Sequence, residues 1–204
     1  ILTFGLDIVW RRKAAGIAAA GGGKLWLDIC SGTGEMAIYL NRLAGKNTKV
    51  IAADFSLPML HKVKEKPEGS RLFFTLADAA SLPFPDSAFD LVTLSLGTRN
   101  LNVRRESLIK SFQEFHRILK PGGRFVNLET SQPPSGLIRK LFHLYVRIVV
   151  KPLGSLLSGS RAGYSYLAYT VPRFYSAREL SDIMRQAGFA EVTFNRLIFG
   201  MAAI

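Results

Sequence analysis

The chain alternates between short apolar runs and stretches in which apolar residues recur every three or four positions. The first pattern predicts buried strands, and the second predicts amphipathic helices. Strands are predicted at residues 25–29, 49–53, 71–76, 89–95 and 124–129, with helices at 3–20, 35–44, from Ser56 onward and at 104–119. This regular alternation of strand and helix predicts a doubly wound α/β domain.

The alternation stops between Ser131 and Arg173. Residues 136–151 form an apolar helical pattern that carries a basic stripe at steps of four: Arg139, His143, Arg147 and Lys151. Such a helix suits a lid that touches a greasy substrate or a membrane surface, and it equally suits a helix packed on the sheet with a solvated basic edge. After it, Ser176 and Glu179 have the spacing of a capping box, and a hairpin is predicted from residue 192 to 199 and beyond.

Composition narrows the class of protein. With 204 residues, the chain is expected to form a single domain, 1–204, with a substrate-lid insertion at about 131–173. Lys and Arg number 27 against 15 Asp and Glu, a net charge of +12, which favours an anionic partner such as nucleic acid or a membrane surface. The basic cluster near the start follows the first apolar residues, the wrong order for a secretory signal, so a cytoplasmic location is expected. The only cysteine, Cys30, is expected to be a buried thiol.

A glycine turn, Ser31-Gly32-Thr33-Gly34, follows the first strand and leads into the helix that begins at Glu35. Glycines allow a sharp turn and a close approach to a ligand, and the free N–H groups of the helix start point towards it. With Asp54 about twenty residues further on, the turn also fits the fingerprint of NAD enzymes. The turn alone therefore leaves dehydrogenase and methyltransferase open.

Asp28 separates these two classes. A carboxylate directly before the glycine turn repels a pyrophosphate but suits a cationic ligand. S-adenosylmethionine carries a sulfonium and an ammonium and no phosphate. Asp54, at the end of the second strand, can accept from both ribose hydroxyls, and Asp78, after the third, can accept from the adenine amino group. Three acids at three successive strand ends favour this cofactor.

Several longer motifs carry a resemblance to a known family. They are Phe4-Gly5, LDICSGTGEM, AADFSLPML, ADAASLPFPDSAFD, LSLGTRNL, RILKPGGRF and the Tyr164-x-Tyr166 pair. The chain resembles the menaquinone and ubiquinone biosynthesis C-methyltransferases, within the class I S-adenosylmethionine-dependent methyltransferases. The resemblance implies a Rossmann-like, mostly parallel seven-stranded sheet with helices on both faces and an antiparallel final strand. Cys30, Glu35 and Leu96 depart from the residues usual there.

The resemblance also implies the roles of individual residues. It places S-adenosylmethionine on Asp28, Gly32, Thr33, Gly34, Asp54, Phe55, Asp78, Ala79 and Ser95 and implies no metal. Arg99 and Asn100 face the substrate as catalytic residues, and Tyr164 and Tyr166 are candidate substrate-binding residues that also suit plain packing. Its implied partners are a lipophilic quinol, a second copy in a homodimer and the inner face of an anionic membrane, contacted peripherally.

The implied reaction is methyl transfer to an aromatic carbon of a reduced quinone. A neutral carbon is a poor nucleophile, so the site must stabilise the phenolate that forms when a hydroxyl proton leaves. A guanidinium stays protonated, which favours phenolate stabilisation by Arg99, with water relaying the proton. Asn100 would orient the hydroxyl. The alternative for Arg99 is simple pairing with a neighbouring carboxylate.

The rival functions are methylation of another small molecule or of nucleic acid, and cofactor binding without methyl transfer. The basic composition permits an RNA or DNA methyltransferase, but the Asn/Asp-Pro-Pro-aromatic tetrad of amino-methylating enzymes is missing after the fourth strand, so nucleic acid is not the expected partner. A methyltransferase-like protein that binds the cofactor without transferring its methyl group is the second rival. The combination of Asp28, Asp54, Asp78 and Arg99 counts against it.

Overall fold

The structure is a computed structural model that describes residues 5–159 and 161–204, without the side chains at 157 and 158. Phe4, used in the resemblance, lies outside the described residues. The strands are β1 Leu25–Ile29, β2 Lys49–Asp54, β3 Phe73–Leu76, β4 Phe89–Ser95, β5 Leu119–Thr130, β6 Arg196–Leu197 and β7 Ala202–Ala203. The helices are α1 Leu6–Ala19, α2 Glu35–Leu43, α3 Leu57–Lys64, α4 Thr98–Leu101, α5 Arg105–Ile118, α6 Gly136–Tyr145, α7 Lys151–Ser158, α8 Arg161–Thr170 and α9 Ala177–Gln186.

The strands form one sheet in the order β3-β2-β1-β4-β5-β7-β6. Strands β1 to β5 pair in parallel, whereas β7 pairs antiparallel with both β5 and β6. The sequence-based prediction of a mostly parallel, Rossmann-like sheet with an antiparallel final strand is confirmed. Because the order reverses between β1 and β4, the carboxyl ends of these two strands border the crevice in which such sheets bind ligands.

Different helices cover the two faces of the sheet. On one face, Trp26 of β1 and Leu91 of β4 pack against α1 and α2. On the other, Leu27 and Val92 pack against α5 and α9. Since successive residues of a strand point to opposite faces, Asp28 lies on the same face as Trp26, the face covered by α1.

Most predicted elements appear within a few residues of their predicted bounds, and the differences have local causes. The third strand begins at Phe73 because Pro67–Arg71 form a 3₁₀ turn. The predicted turn at 120–123 is a bulge within the longer β5, where Leu119 pairs with Phe89 and Arg124 with Leu91. The final hairpin is shorter than predicted, with its strands joined by a 3₁₀ turn at Ile198–Gly200.

The side-chain capping predicted at two helix starts is present at α9 and absent at α3. At α9, the Ser176 side chain accepts from the Glu179 N–H and the Glu179 carboxylate accepts from the Ser176 N–H, which confirms the capping box. At α3, Ser56 occupies the N-cap position but its side chain caps nothing. The Ser56 N–H instead donates to the Asp54 carboxylate. That contact ties the start of α3 to the end of β2.

The segment from 131 to 173 is helical and has a small core of its own. Helices α6 and α7 are joined by one π-helical stretch, Val146–Val150, and α8 follows. Phe142, Val146, Val150 and Val171 are buried together. Gln132 fastens this core to the end of β5, because its amide donates to the Val171 carbonyl and its oxygen contacts His143 Nε2. The predicted basic helix is therefore packed on one side and exposed on the other.

Candidate active site

The glycine turn lies at the carboxyl end of β1. Gly32 and Gly34 both have positive φ, at 56° and 79°, in the left-handed region that glycine adopts at little cost. A Cβ on Gly34 would clash with Val63, whereas a Cβ on Gly32 would meet no heavy atom within 4 Å. Gly34 is thus required by packing. Gly32 borders open space on the side where a ligand can approach.

Asp28 is buried beside this turn, with 1% of its surface exposed. One carboxylate oxygen accepts from Thr93 Oγ1 at 2.7 Å, while the other, Oδ2, has no hydrogen-bond partner among the described residues. Burial raises the pKa of Asp28 from 3.8 to about 6, and the Thr93 hydrogen bond opposes that rise. A buried carboxylate with an unsatisfied oxygen suits a cationic ligand.

Asp54 holds the backbone of the site in shape. Its Oδ2 accepts from the Gly32 N–H at 2.8 Å and its Oδ1 from the Ser56 N–H at 2.9 Å. The carboxylate is 6% exposed, while the side chain of Phe55 after it is 77% exposed. Asp54 thereby fixes the glycine turn, a role that the sequence did not predict. A carboxylate oxygen can accept more than one hydrogen bond, so contact with ribose hydroxyls stays open to it.

Asp78 and Ala79 follow β3 at the same end of the sheet. Asp78 is exposed and its Oδ1 accepts from the Ala80 N–H at 2.9 Å, whereas Ala79 is buried. The structure thus places the predicted acids Asp28, Asp54 and Asp78 after or at the ends of three neighbouring strands. Their environments differ. Asp28 is buried with one unsatisfied oxygen, Asp54 is buried and bonded to backbone N–H groups, and Asp78 is exposed to solvent.

Arg99 is buried in an ion pair. Its Nε donates to Glu129 Oε1 at 3.0 Å, and the two side chains are 3% and 2% exposed. The Arg99 backbone N–H also donates to Glu129, and one terminal N–H donates to Thr170 Oγ1 at 3.4 Å. The alternative that the sequence left open, pairing with a carboxylate, is present. Glu129 was not a predicted site residue.

Asn100 lies next to Arg99 and is exposed. Tyr166 of α8 donates to its Oδ1 at 3.3 Å, so two residues predicted to face the substrate meet across 66 positions of sequence. Tyr164 does not join them, because its ring packs over Gly154 and the small core of the insertion. Helix α8 is therefore joined to α4, the segment that follows β4, by hydrogen bonds at Asn100 and Arg99.

The sequence profile of the ubiE/COQ5 methyltransferase family matches residues 1–204. The demethylmenaquinone methyltransferase of Thermus thermophilus is 40% identical over 100% of this chain and 91% of its own length. The ubiquinone/menaquinone biosynthesis C-methyltransferase UbiE of Shewanella frigidimarina is 32% identical over 100% of this chain and 81% of its own.

The chain belongs to the ubiE/COQ5 methyltransferase family.

Solved structures agree on the fold of this ubiE/COQ5 member. An SAM-dependent methyltransferase from Aquifex aeolicus has a TM-score of 0.64 at 16% identity, covering 96% of this chain and 88% of that one. The [4+2]-cyclase SpnF has a TM-score of 0.51 at 25% identity over 61% of this chain and 47% of that one. The fold thus also serves a different reaction, and the methyltransferase assignment depends on the family.

S-adenosylmethionine is the cofactor of this ubiE/COQ5 enzyme, and the residues present fit it. The unsatisfied Oδ2 of Asp28 and the open space beside Gly32 lie where its methionine end would be held. Asp54 and Asp78, with Phe55 and Ala79 next to them in sequence, follow at the same edge of the sheet, and their contacts with ribose and adenine stay predictions. The described residues contain no cluster of three or more His, Cys, Asp or Glu side chains that could hold an ion.

Thr33 and Ser95 are less available to the cofactor than the sequence suggested. The Thr33 hydroxyl donates to the Glu35 carboxylate, and Lys66 binds both Glu35 Oε1 and the Thr33 carbonyl, at 2.7 and 2.6 Å. Lys66 also holds the pKa of Glu35 below its ordinary value, against the opposing effect of burial. These two contacts of Lys66 hold the glycine turn in place on its outer side.

The Ser95 hydroxyl accepts from Arg11 Nε at 3.1 Å. Arg11 belongs to α1, and its contact with the end of β4 was not predicted from the sequence. The only signal available was the basic cluster at residues 11–13, which gives no indication of which side chain turns inward.

Proposed function

We propose that the protein transfers a methyl group from S-adenosylmethionine to a ring carbon of a reduced polyprenyl quinone precursor, demethylmenaquinol or a ubiquinol precursor. The observation that carries this proposal is the similarity, along the whole chain, to enzymes named for that reaction. Two further observations support it: Asn100 and Tyr166 form a polar edge, and the neighbouring insertion is apolar and basic.

The residues of the chain must make a ring carbon nucleophilic while they hold it in line. S-adenosylmethionine, when bound, supplies an electrophilic methyl group on a sulfonium sulfur. Asn100 and Tyr166 can hydrogen-bond the quinol hydroxyl, and loss of that proton to water moves electron density onto the adjacent carbon.

Arg99 acts in this scheme as a fixed donor rather than as a free cation. Glu129 occupies its Nε–H and balances its charge, so the remaining guanidinium N–H groups can face the phenolate in one orientation only. Thr170, bonded to one of those groups across 3.4 Å, is the contact that a substrate oxygen would replace. Tyr164 supports the lid by packing, and its direct contact with substrate stays a prediction.

Peripheral binding at an anionic membrane is part of the proposal, because the substrate carries a polyprenyl tail. Within the described residues no helix combines the length and the apolar character that crossing a bilayer needs.

Residues 131–173 contain six Lys or Arg and no Asp or Glu. On α6 and the π-helical stretch, large apolar side chains are half or more exposed: Leu137, Leu141, Leu144 and Ile148. Basic residues beside an exposed apolar stripe suit an anionic lipid surface. The cytoplasmic location and a homodimer stay predictions.

The test follows radiolabelled methyl from S-adenosylmethionine into three acceptors: chemically reduced short-chain demethylmenaquinone, the same quinone kept oxidised, and unfractionated tRNA. Label is expected in the reduced quinone alone, because the oxidised ring has no hydroxyl to deprotonate. Asp28→Asn serves as the inactive control. Label in tRNA alone, or label in none of the three acceptors while S-adenosylmethionine binds, would contradict the proposal.

A further inference from the structure

One charge at the methionine end of the cofactor has no counterpart among the site residues described so far. That end carries a carboxylate as well as an ammonium group. Asp28 suits the ammonium and repels the carboxylate, since like charges a few ångströms apart cost free energy where water is excluded. A cation on the other side of the methionine end would balance that carboxylate.

Two cations near the crevice are already committed to other contacts. Lys66 binds Glu35 and the Thr33 carbonyl on the outside of the glycine turn. Arg99 is buried against Glu129, with 3% of its side chain exposed. Lys66 cannot turn to the cofactor without breaking its two contacts, and the remaining N–H groups of Arg99 are already assigned to the substrate.

Arg11 is differently placed. It lies on α1, where its side chain is 16% exposed, and it reaches the end of β4 to donate from Nε to Ser95 Oγ at 3.1 Å. Asp7, one turn earlier, pairs with one terminal nitrogen. Because a guanidinium presents a fork of several N–H groups, these two contacts orient it and leave further donors for a ligand.

The sheet places Arg11 and Asp28 on the same side. Trp26 and Leu91 pack under α1, in a cluster with Ala14 and Ala18, and Asp28 pairs in register with Thr93. Alternate residues share a face, so Asp28 and Ser95 lie on the face that α1 covers. Consistent with this proximity, the charge of Arg11 opposes the rise in the pKa of Asp28 that burial causes.

We infer that Arg11 is the anion subsite of the cofactor pocket and binds the carboxylate of the methionine end, opposite Asp28. The inference rests on S-adenosylmethionine being the cofactor. It gives the first helix a role in binding, since α1 then contributes one half of a matched pair of charges. Arg is suited to this role because it can bind a carboxylate through two parallel N–H groups.

The test is calorimetric and uses two ligands. One is S-adenosylhomocysteine, and the other is its decarboxylated analogue, which keeps the ammonium group. Arg11→Met is expected to weaken S-adenosylhomocysteine binding by about 10- to 100-fold and to change binding of the analogue less than about twofold, because only the first ligand has a carboxylate to lose. Arg12→Met, next to it on α1 and exposed, is the matched control and should leave both affinities unchanged.

Other results would contradict the assignment of Arg11. Equal losses for both ligands, or no loss for either, overturn the inference, and urea unfolding of Arg11→Met shows whether an equal loss reflects a damaged fold. A carboxylate-selective loss in Lys66→Met instead assigns the subsite to Lys66 and also overturns it. If the unaltered protein binds neither ligand, the cofactor assignment itself fails. Asp28→Asn should weaken both ligands, because both carry the ammonium group.

Discussion

Arg99 Nε and Glu129 Oε1 lie 3.0 Å apart in the wall of the active site, and both side chains are almost fully buried. Glu129 Oε1 also accepts from the N–H and the hydroxyl of Thr130, so the carboxylate is well satisfied in place. Two residues earlier on β5, Asn127 accepts from the Thr98 hydroxyl at 2.7 Å. Alternate residues of one strand therefore hold the segment that carries Arg99 and Asn100.

Glu129→Gln should leave the Arg99 charge buried without its partner. We expect a loss of about 3–5 kcal/mol in the free energy of unfolding, measured by urea denaturation. We also expect a large fall in kcat with cofactor affinity nearly unchanged. The double variant Arg99→Gln/Glu129→Gln should recover part of the stability but not the activity. A single variant as stable as the unaltered protein would show that the pair is not buried as described.

Asp28 should make the stability of the cofactor-free protein depend on pH. Its folded pKa, about 6, is above the ordinary 3.8, so the cost of burying its charge is absent below pH 4 and complete above pH 6. That cost is about 3 kcal/mol. Asp28→Asn should therefore gain stability relative to the unaltered protein as pH rises from 4 to 7.5, by urea unfolding at several pH values. A difference in the free energy of unfolding between the two proteins that does not change with pH would refute this assignment.

Asp54 and Asp78 offer a matched comparison. Asp54→Asn should lose about 1–3 kcal/mol of stability, because one of two backbone N–H groups loses its acceptor, and cofactor affinity should fall at least about tenfold. Asp78→Asn, at an exposed position, should weaken the cofactor without a comparable loss of stability. Thermal unfolding and calorimetry measure the two effects separately. If Asp54→Asn binds the cofactor normally, the assignment of Asp54 to the ribose is wrong.

Substitution of the two glycines of the turn should affect stability and cofactor binding differently. Gly34→Ala introduces a clash with Val63 at a positive φ and should lower the midpoint of urea unfolding severely, with partial rescue by Val63→Ala. Gly32→Ala meets open space, so its stability cost should be only about 1–2 kcal/mol, from the left-handed φ. Its main effect should be weaker cofactor binding. Equal loss of stability in both variants would contradict this division.

The apolar stripe of the insertion should determine vesicle binding. Leu141→Ser/Ile148→Ser should weaken binding to phosphatidylglycerol vesicles by about tenfold or more, because two large side chains no longer enter the lipid. Co-sedimentation measures the effect, with phosphatidylcholine vesicles as the neutral comparison. Leu43→Ser/Phe73→Ser, at similarly exposed apolar positions outside the insertion, should bind like the unaltered protein. If both double variants bind alike, the stripe is not the lipid contact.

The sequence predicted those parts of the fold whose signals are local. β1 and β4 have the predicted bounds, because each is a mainly apolar run rich in strand-forming residues, and the glycine turn follows β1 where its residues indicate. The bulge at 120–123 was predicted as an ordinary turn, since Pro and Gly mark a break in the strand but not whether pairing resumes beyond it. The π-helical stretch inside the basic helix had no sequence signal that was recognised.

The candidate site was predicted less completely, because its decisive contacts join distant residues. Arg99 and Glu129 are 30 positions apart, and Arg11 and Ser95 are 84 positions apart. The sequence gives the identity of each of these residues but not which of them meet. The acids at strand ends were predictable because parallel topology alone brings the carboxyl ends of strands to one edge of the sheet.

Helix α8 has no buried residue among its ten, and its contacts to the strand side of the crevice include the hydrogen bonds at 3.3 and 3.4 Å to Asn100 and Arg99. Moving this helix away from Asn100 and Arg99 breaks few contacts, so the free-energy cost of opening is small. We expect the amides of α8 to exchange with deuterated solvent much faster than those of α9. We also expect the quinol ring to enter and leave the crevice laterally, beneath α8. A tail that never leaves the bilayer would then make turnover depend on the two-dimensional density of quinol in the membrane, not on its concentration in solution.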